Sequence, residues 1–188
     1  MANSHVPNSA FISAQQVFNA QIKDCFSTTH HLEEDTLEEI ILWLKHPSEI
    51  IEKLKMLRSE FSFDFLSDIT AYDNEDQADG DKRFVLVYQL YSISKKIRIR
   101  LKSLVDLNET AQSITSIWPA ANWLEREVFD MYGITFKDHP NMTRILMDER
   151  FVGHPLRKEF PIKFREPFAD NVKISVPLQS DSNSINRE

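Results

Sequence analysis

A single cysteine, Cys25, and three glycines are all that this 188-residue chain holds of two residue types on which cofactor sites often depend. One thiol can neither close an intrachain disulfide nor hold an iron–sulfur cluster, whose ligands are mostly cysteines. It fits a reducing compartment. Three scattered glycines cannot build a phosphate-cradling loop, and no Gly-x-Ser-x-Gly elbow is present for a serine nucleophile. No apolar run approaches the length needed to span a bilayer. Met1–Ser9 lacks the basic start and apolar core of a signal peptide. A basic excess is missing too: 29 acidic residues against 22 basic give a net charge of −7, which argues against a nucleic-acid binder. The chain is expected to be soluble and intracellular, with no direct membrane insertion.

What is present divides the chain into a disordered start (1–10), a core domain (11–133), an extended C-terminal arm (134–170) and a polar tail (171–188). Phe11, Ala14, Phe18, Ile22 and Cys25 recur at spacings of three and four, which predicts an amphipathic helix ending near Ser27. Glu33 to Glu39 reads as an acidic turn. Ile40–Leu44 is a short buried strand stopped at His46-Pro47, and Ile50, Ile51, Leu54 and Leu57 form the stripe of the next helix. Phe61, Phe63, Phe65, Ile69 and Ala71 alternate with polar residues, as in a half-buried strand. Asp73 to Lys82 is an acidic loop. Phe84–Tyr91 is continuously apolar enough for a central strand. Ile97, Ile99 and Leu101 alternate with Arg98, Arg100 and Lys102 in a strand with one cationic face. A short helix is expected within Asp106–Trp118, and another over Ala120–Tyr132. One β-α-β crossover feeding a meander makes the fold α+β: a mixed four-stranded sheet with helices packed on one face, followed by the arm.

Candidate chemistry is sparse. His30-His31 beside Glu33 and Glu34 invites a metal, but adjacent rings rarely converge on one ion and no His-x-x-x-His spacing occurs. The Glu125/Glu127/Asp130 cluster reads more readily as an ion network with Arg126 than as an acid–base site. The Arg98/Arg100 face suits an acidic partner and a solvated surface equally. No catalytic, cofactor-binding or metal-binding residue is assigned.

Trp123–Pro161 is the informative stretch. Leu124, Val128, Met131 and Tyr132 share one helix face, while Arg126 and Asp130 sit four apart and are expected to pair. Glu125 projects among apolar neighbours and needs a donor partner. Gly133 reads as a left-handed C-cap. His139-Pro140 and His154-Pro155 mark extended backbone, and both histidines are expected to bond backbone at a bend. Arg144, Arg150, Arg157 and Lys158 then alternate with Ile145, Leu146, Leu156 and Phe160. That interleaving suits a strap laid across another protein. The strap is expected to add little to the core and to be mobile in the free chain.

The runs E-R-E-V-F-D-M-Y-G-I-T-F, H-P-N-M-T-R-I-L and G-H-P-L-R-K-E-F-P resemble the signature of the 30-kDa subunit family of respiratory complex I, also known as its C-type subunit. The match spans residues 113 to 161, and Phe63–Asp73 resembles the family's core strand. Thr143 stands where the family usually has arginine, and Glu159 for the commoner aspartate. The resemblance implies a non-catalytic structural subunit of the peripheral arm of the proton-translocating NADH:quinone oxidoreductase. FMN and the iron–sulfur clusters would lie in partner subunits. The implied neighbours are chiefly the 49-kDa-type quinone-site subunit and the terminal-cluster subunit. The resemblance also implies a peripheral place on the cytoplasmic side of the inner (cell) membrane. The implied partner interface is Glu125, Arg126, Glu127, Asp130, His139, Arg144, His154, Leu156, Arg157, Lys158 and Phe160. Two alternatives stand: the equivalent subunit of a membrane-bound hydrogenase or plastoquinone-reducing complex, and a freestanding soluble metal-dependent enzyme.

Overall fold

A computed structural model describes residues 32–34, 40–44, 47–74, 82–161 and 163. The helix predicted over 11–27, the His30-His31 pair, the disordered start and the polar tail lie outside these residues. The order is β1 (Leu32–Glu34), β2 (Ile40–Leu44), a single 3-10 turn (Pro47–Glu49), α1 (Ile50–Ser59), β3 (Phe65–Asp73), β4 (Phe84–Ser92), β5 (Ile97–Val105), β6 (Ala111–Gln112), α2 (Ala121–Tyr132) and β7 (Phe136–Lys137). The main sheet runs β1-β2-β5-β4-β3. Strand β2 lies parallel to β5, with Leu42 opposite Leu101, while β3-β4-β5 is an antiparallel meander. The expected crossover is therefore β2-α1-β3, and β4 and β5 return to fill the gap it leaves.

Period-two patterning sets which face is buried. Leu42 and Leu44 of β2, Ile69 and Ala71 of β3, Leu86 and Tyr88 of β4, and Ile99 and Leu101 of β5 share one core. Both helices pack on it, α1 through Ile50, Leu54 and Leu57, α2 through Ala121 and Val128. The four expected strands and the one-sided helices are thus present.

Three local expectations need correction. Glu33 and Glu34 do not begin a turn: Leu32–Glu34 pairs antiparallel with β2 and extends the sheet by a fifth, edge strand. Strand β3 begins at Phe65, not Phe61. Ser62 has φ 58°, Phe61 and Phe63 are buried ahead of the strand, and Phe65 points outward. A bulge between Leu66 and Asp68 then carries the alternation on to Ile69, Ala71 and Asp73. The helix expected within Asp106–Trp118 is absent. Ala111, Ile114, Ile117 and Trp118 are buried at near-helical spacing. However, Ser113 Oγ accepts the Thr115 N–H at 3.3 Å, and Ala111–Gln112 pairs with Phe136–Lys137. Hydroxyls that bond nearby backbone compete with helix formation, and here they win.

Candidate functional site

Helix α2 ends where its sequence says it should. Gly133 adopts φ 76° and returns its N–H to the Phe129 carbonyl at 2.8 Å. A helix leaves its last four carbonyls without intrahelical donors. Here the other three are met by the strap. His154 Nδ1 donates to the Asp130 carbonyl at 3.0 Å, the Leu156 N–H to Met131 at 3.1 Å, and Arg157 Nε to Tyr132 at 2.6 Å. Arg157 also brings positive charge to the negative end of the helix. The approach is close enough that a Cβ on Gly133 would overlap the Arg157 guanidinium and the His154 ring.

The reciprocal contact comes from the Asp130 side chain, which is fully buried. Its Oδ2 accepts the N–H groups of Ile145, Leu146 and Met147 at 3.1, 2.8 and 2.8 Å. Its Oδ1 meets Arg144 Nη1 at 2.6 Å. Burial works to raise the Asp130 carboxyl pKa, but these donors together outweigh it and hold it below the ordinary carboxylate range. Arg144 also donates to the Gly153 carbonyl at 2.9 Å. The expected Arg126–Asp130 pair is not formed. Arg126 turns to the Thr143 and Arg144 carbonyls at 3.0 and 2.9 Å, and lies 5.1 Å over the Trp123 ring. The buried Asp130 faces inward, out of its reach.

Further along, Asp73 at the end of β3 accepts the Lys158 N–H at 2.9 Å and is forked by Arg83. Arg83 also bonds Glu159, and its guanidinium lies 5.1 Å from the Phe84 ring. Phe160 stacks on Phe151 at 5.5 Å. The strap is thus pinned at both ends, which corrects the expectation that it adds little to the domain.

The sequence-predicted residues fall into three groups. Glu125 and Asp130 are fully buried, so neither can touch a partner directly. Arg126, His139 (its ring fully buried), Arg144, His154, Arg157 and Phe160 are half-buried as whole residues, all but Phe160 bonding backbone carbonyls of this same chain. Both histidines bond backbone at a bend, as expected. Glu127, Leu156 and Lys158 are exposed. Sequence reading missed Asp73 and Arg83. The available signal was a carboxylate falling in phase with Ile69 and Ala71 on the apolar face of a strand. It also passed over Trp123, 62% exposed, and Val152, 78% exposed; with Leu146 at 61% and Leu156 at 50% these are the large apolar side chains that the helix and strap leave outside.

No cluster of His, Cys, Asp and Glu suited to a metal occurs among the described residues. A cleft of about 410 Å³ between Lys55, Arg58, Ser59, Asp64, Ser116 and Ile117 is lined without histidine or cysteine. No helix among the described residues is long and apolar enough to cross a membrane.

Comparison with known proteins matches residues 43–166 to the family "Respiratory-chain NADH dehydrogenase, 30 Kd subunit". The chain is 36% identical over 164 residues to the NADH-quinone oxidoreductase C subunit of Geobacter metallireducens, covering 86% of this chain and 94% of that one. It is 48% identical over 122 residues to the same subunit of Citrifermentans bemidjiense, covering 63% and 74%. A solved trypsin-resistant fragment of Nqo5 superposes with a TM-score of 0.56 at 26% identity, covering 69% of this chain and 97% of the fragment.

Proposed function

The chain belongs to the respiratory-chain NADH dehydrogenase 30-kDa subunit family, and from that membership we propose that it is a non-catalytic structural subunit of the peripheral arm of a proton-translocating NADH:quinone oxidoreductase. In this reading electrons pass from NADH through FMN and iron–sulfur clusters, all held by partner subunits, to quinone. One cysteine in the whole chain supports that division of labour. The peripheral arm sits on the cytoplasmic side of the cell membrane, and this chain reaches the membrane through its partners.

The observation that carries the proposal is the strap's two-sidedness. Asp130 of α2 and Asp73 of β3 take up its backbone amides and Arg144, while Leu146, Val152 and Leu156, like Trp123 of α2, are left exposed. Apolar side chains held outward on a pinned backbone are what a stable interface between subunits needs. We assign the partner surface to these four residues with Glu127 and Lys158. Arg126 of α2 and the strap's His139, Arg144, His154, Arg157 and Phe160 shape that surface from behind, anchored by Glu125 and Asp130. The partners are the 49-kDa-type quinone-site subunit and the terminal-cluster subunit. A pull-down of the tagged full-length chain, with co-purifying subunits identified by mass, tests this. Recovery of those two subunits is expected. Recovery of the chain alone from cells with an intact complex overturns it.

A further inference from the structure

Glu125 is fully buried in the first half of α2, and its two oxygens are treated unequally. Oε1 accepts the Ile114 N–H at 2.7 Å, whereas Oε2 has no hydrogen-bond partner. A bare buried carboxylate oxygen is costly, and a proton on the carboxyl lowers that cost by removing the charge. A titratable neighbour is His139, whose ring is also fully buried and whose Nε2 lies 3.9 Å from Glu125 Oε2. The imidazole is tautomerically fixed. Its Nδ1 accepts the Asn141 N–H at 3.0 Å and so carries no proton. Its Nε2 faces the Asn122 carbonyl at 3.1 Å, an acceptor only, and so must donate. One N–H therefore stands between two oxygens, bonded to Asn122 and about an ångström too far from Glu125.

We infer that Glu125 and His139 form a buried, proton-gated latch at the root of the strap. With a proton on Glu125, the His139 N–H stays on the Asn122 carbonyl. With that proton released to solvent, the N–H turns to Glu125 Oε2. The His139–Asn141 turn, from which the strap departs, then loosens its hold on the start of α2. The other groups facing Glu125 do not compete for this role. The Ser113–Ile114 turn supplies neutral donors. The Tyr88 phenol on β4 is pushed by burial, and then by the Glu125 charge, far above any physiological pH. Burial likewise raises the Glu125 carboxyl, against the opposing pull of the Ile114 N–H and the nearby Ser113 hydroxyl, to about 7. The latch is thus set to respond near neutrality. It is independent of which partner the strap meets.

The test is a pH titration by NMR of the full-length chain, with ¹³C-carboxyl glutamate and ¹⁵N-histidine labels. The Glu125 carboxyl signal should move from acid to carboxylate with a midpoint near 7. The His139 Nε2 signal should move with the same midpoint as its N–H changes partner. Glu125→Gln should remove the His139 step and hold the ring in its low-pH state throughout. A Glu125 signal that is carboxylate from pH 5 to 9 overturns the inference in the unsubstituted chain alone, whatever the fate of the variant. So does a His139 step that survives Glu125→Gln.

Discussion

Asp130 and Glu125 sit five residues apart on one helix, both fully buried, and respond to pH with opposite sign. Asp130 has its folded pKa depressed, so its contribution to stability is present above the unfolded value of about 4 and is lost as pH falls through the folded one. Glu125 has its pKa raised to about 7, so its contribution is full below about 4.5 and is lost as pH rises through 7. A gap of that size corresponds to about 3 kcal/mol. Urea unfolding of the chain should therefore show a stability maximum on the acid side of neutrality. Glu125→Gln should flatten the alkaline limb and leave the acid limb. Asp130→Asn should remove part of the acid limb and lower stability at pH 7 by roughly 3 kcal/mol, because Arg144 loses its charged partner. Gly133 answers to sterics. Alanine there meets both φ 76° and the Arg157 and His154 side chains. Gly133→Ala should lower the melting temperature by several degrees, and by more than the roughly 1 kcal/mol expected from an isolated left-handed alanine.

At the scale of elements, the strap is the C-terminal cap of α2, and this decides what Arg157 does. Were the strap a loose appendage, truncating Arg157 would leave the free domain unchanged. Because Arg157 Nε meets the Tyr132 carbonyl at the helix end, Arg157→Ala should cost the free chain about 1–2 kcal/mol in denaturant unfolding. Hydrogen exchange makes the same point. The amides of Ile145, Leu146 and Met147 should be slow in the free chain and fast after Asp130→Asn, while those of β4 stay slow. This attachment was the least legible part of the sequence. Strands β2, β4 and β5, helix α1 and the Gly133 cap could be read because their signals are local: period two, period 3.6 and a glycine after the last periodic residue. The strap bonds through backbone carbonyls and amides to partners more than a dozen residues away, which leaves no periodic trace. The Asp106–Trp118 segment misled for a related reason. Its apolar spacing of three is real, but two hydroxyls and a short parallel pairing with β7 fix the backbone instead. Asp73 was legible in retrospect, since a carboxylate in phase with Ile69 and Ala71 demands a cation, and Arg83 supplies it.

For the molecule as a whole, the two faces of the strap separate fold from assembly. Asp130, Arg144, His154 and Arg157 hold the strap to its own domain, so changing them disturbs both the fold and anything built on it. Leu146, Val152 and Leu156 are at least half exposed and lose little if truncated in the free chain. Buried against a partner, each would contribute about 1 kcal/mol from the area removed from water. Replacing all three by serine should therefore leave the melting temperature and urea midpoint of the isolated chain unchanged within error. The same triple variant should weaken association by about 3 kcal/mol, on the order of a hundredfold. Co-purification of the quinone-site and terminal-cluster subunits should fall, as should the amount of assembled complex on native gels. NADH:quinone activity per assembled complex should hold, because a scaffold surface touches no reacting atom. Full co-purification with the triple variant would move the partner surface elsewhere, the cationic Arg98–Lys102 side of β5 being the next place to look. A melting temperature several degrees lower would mean that these side chains serve the fold. Normal assembly with lost turnover would place the strap in the chemistry.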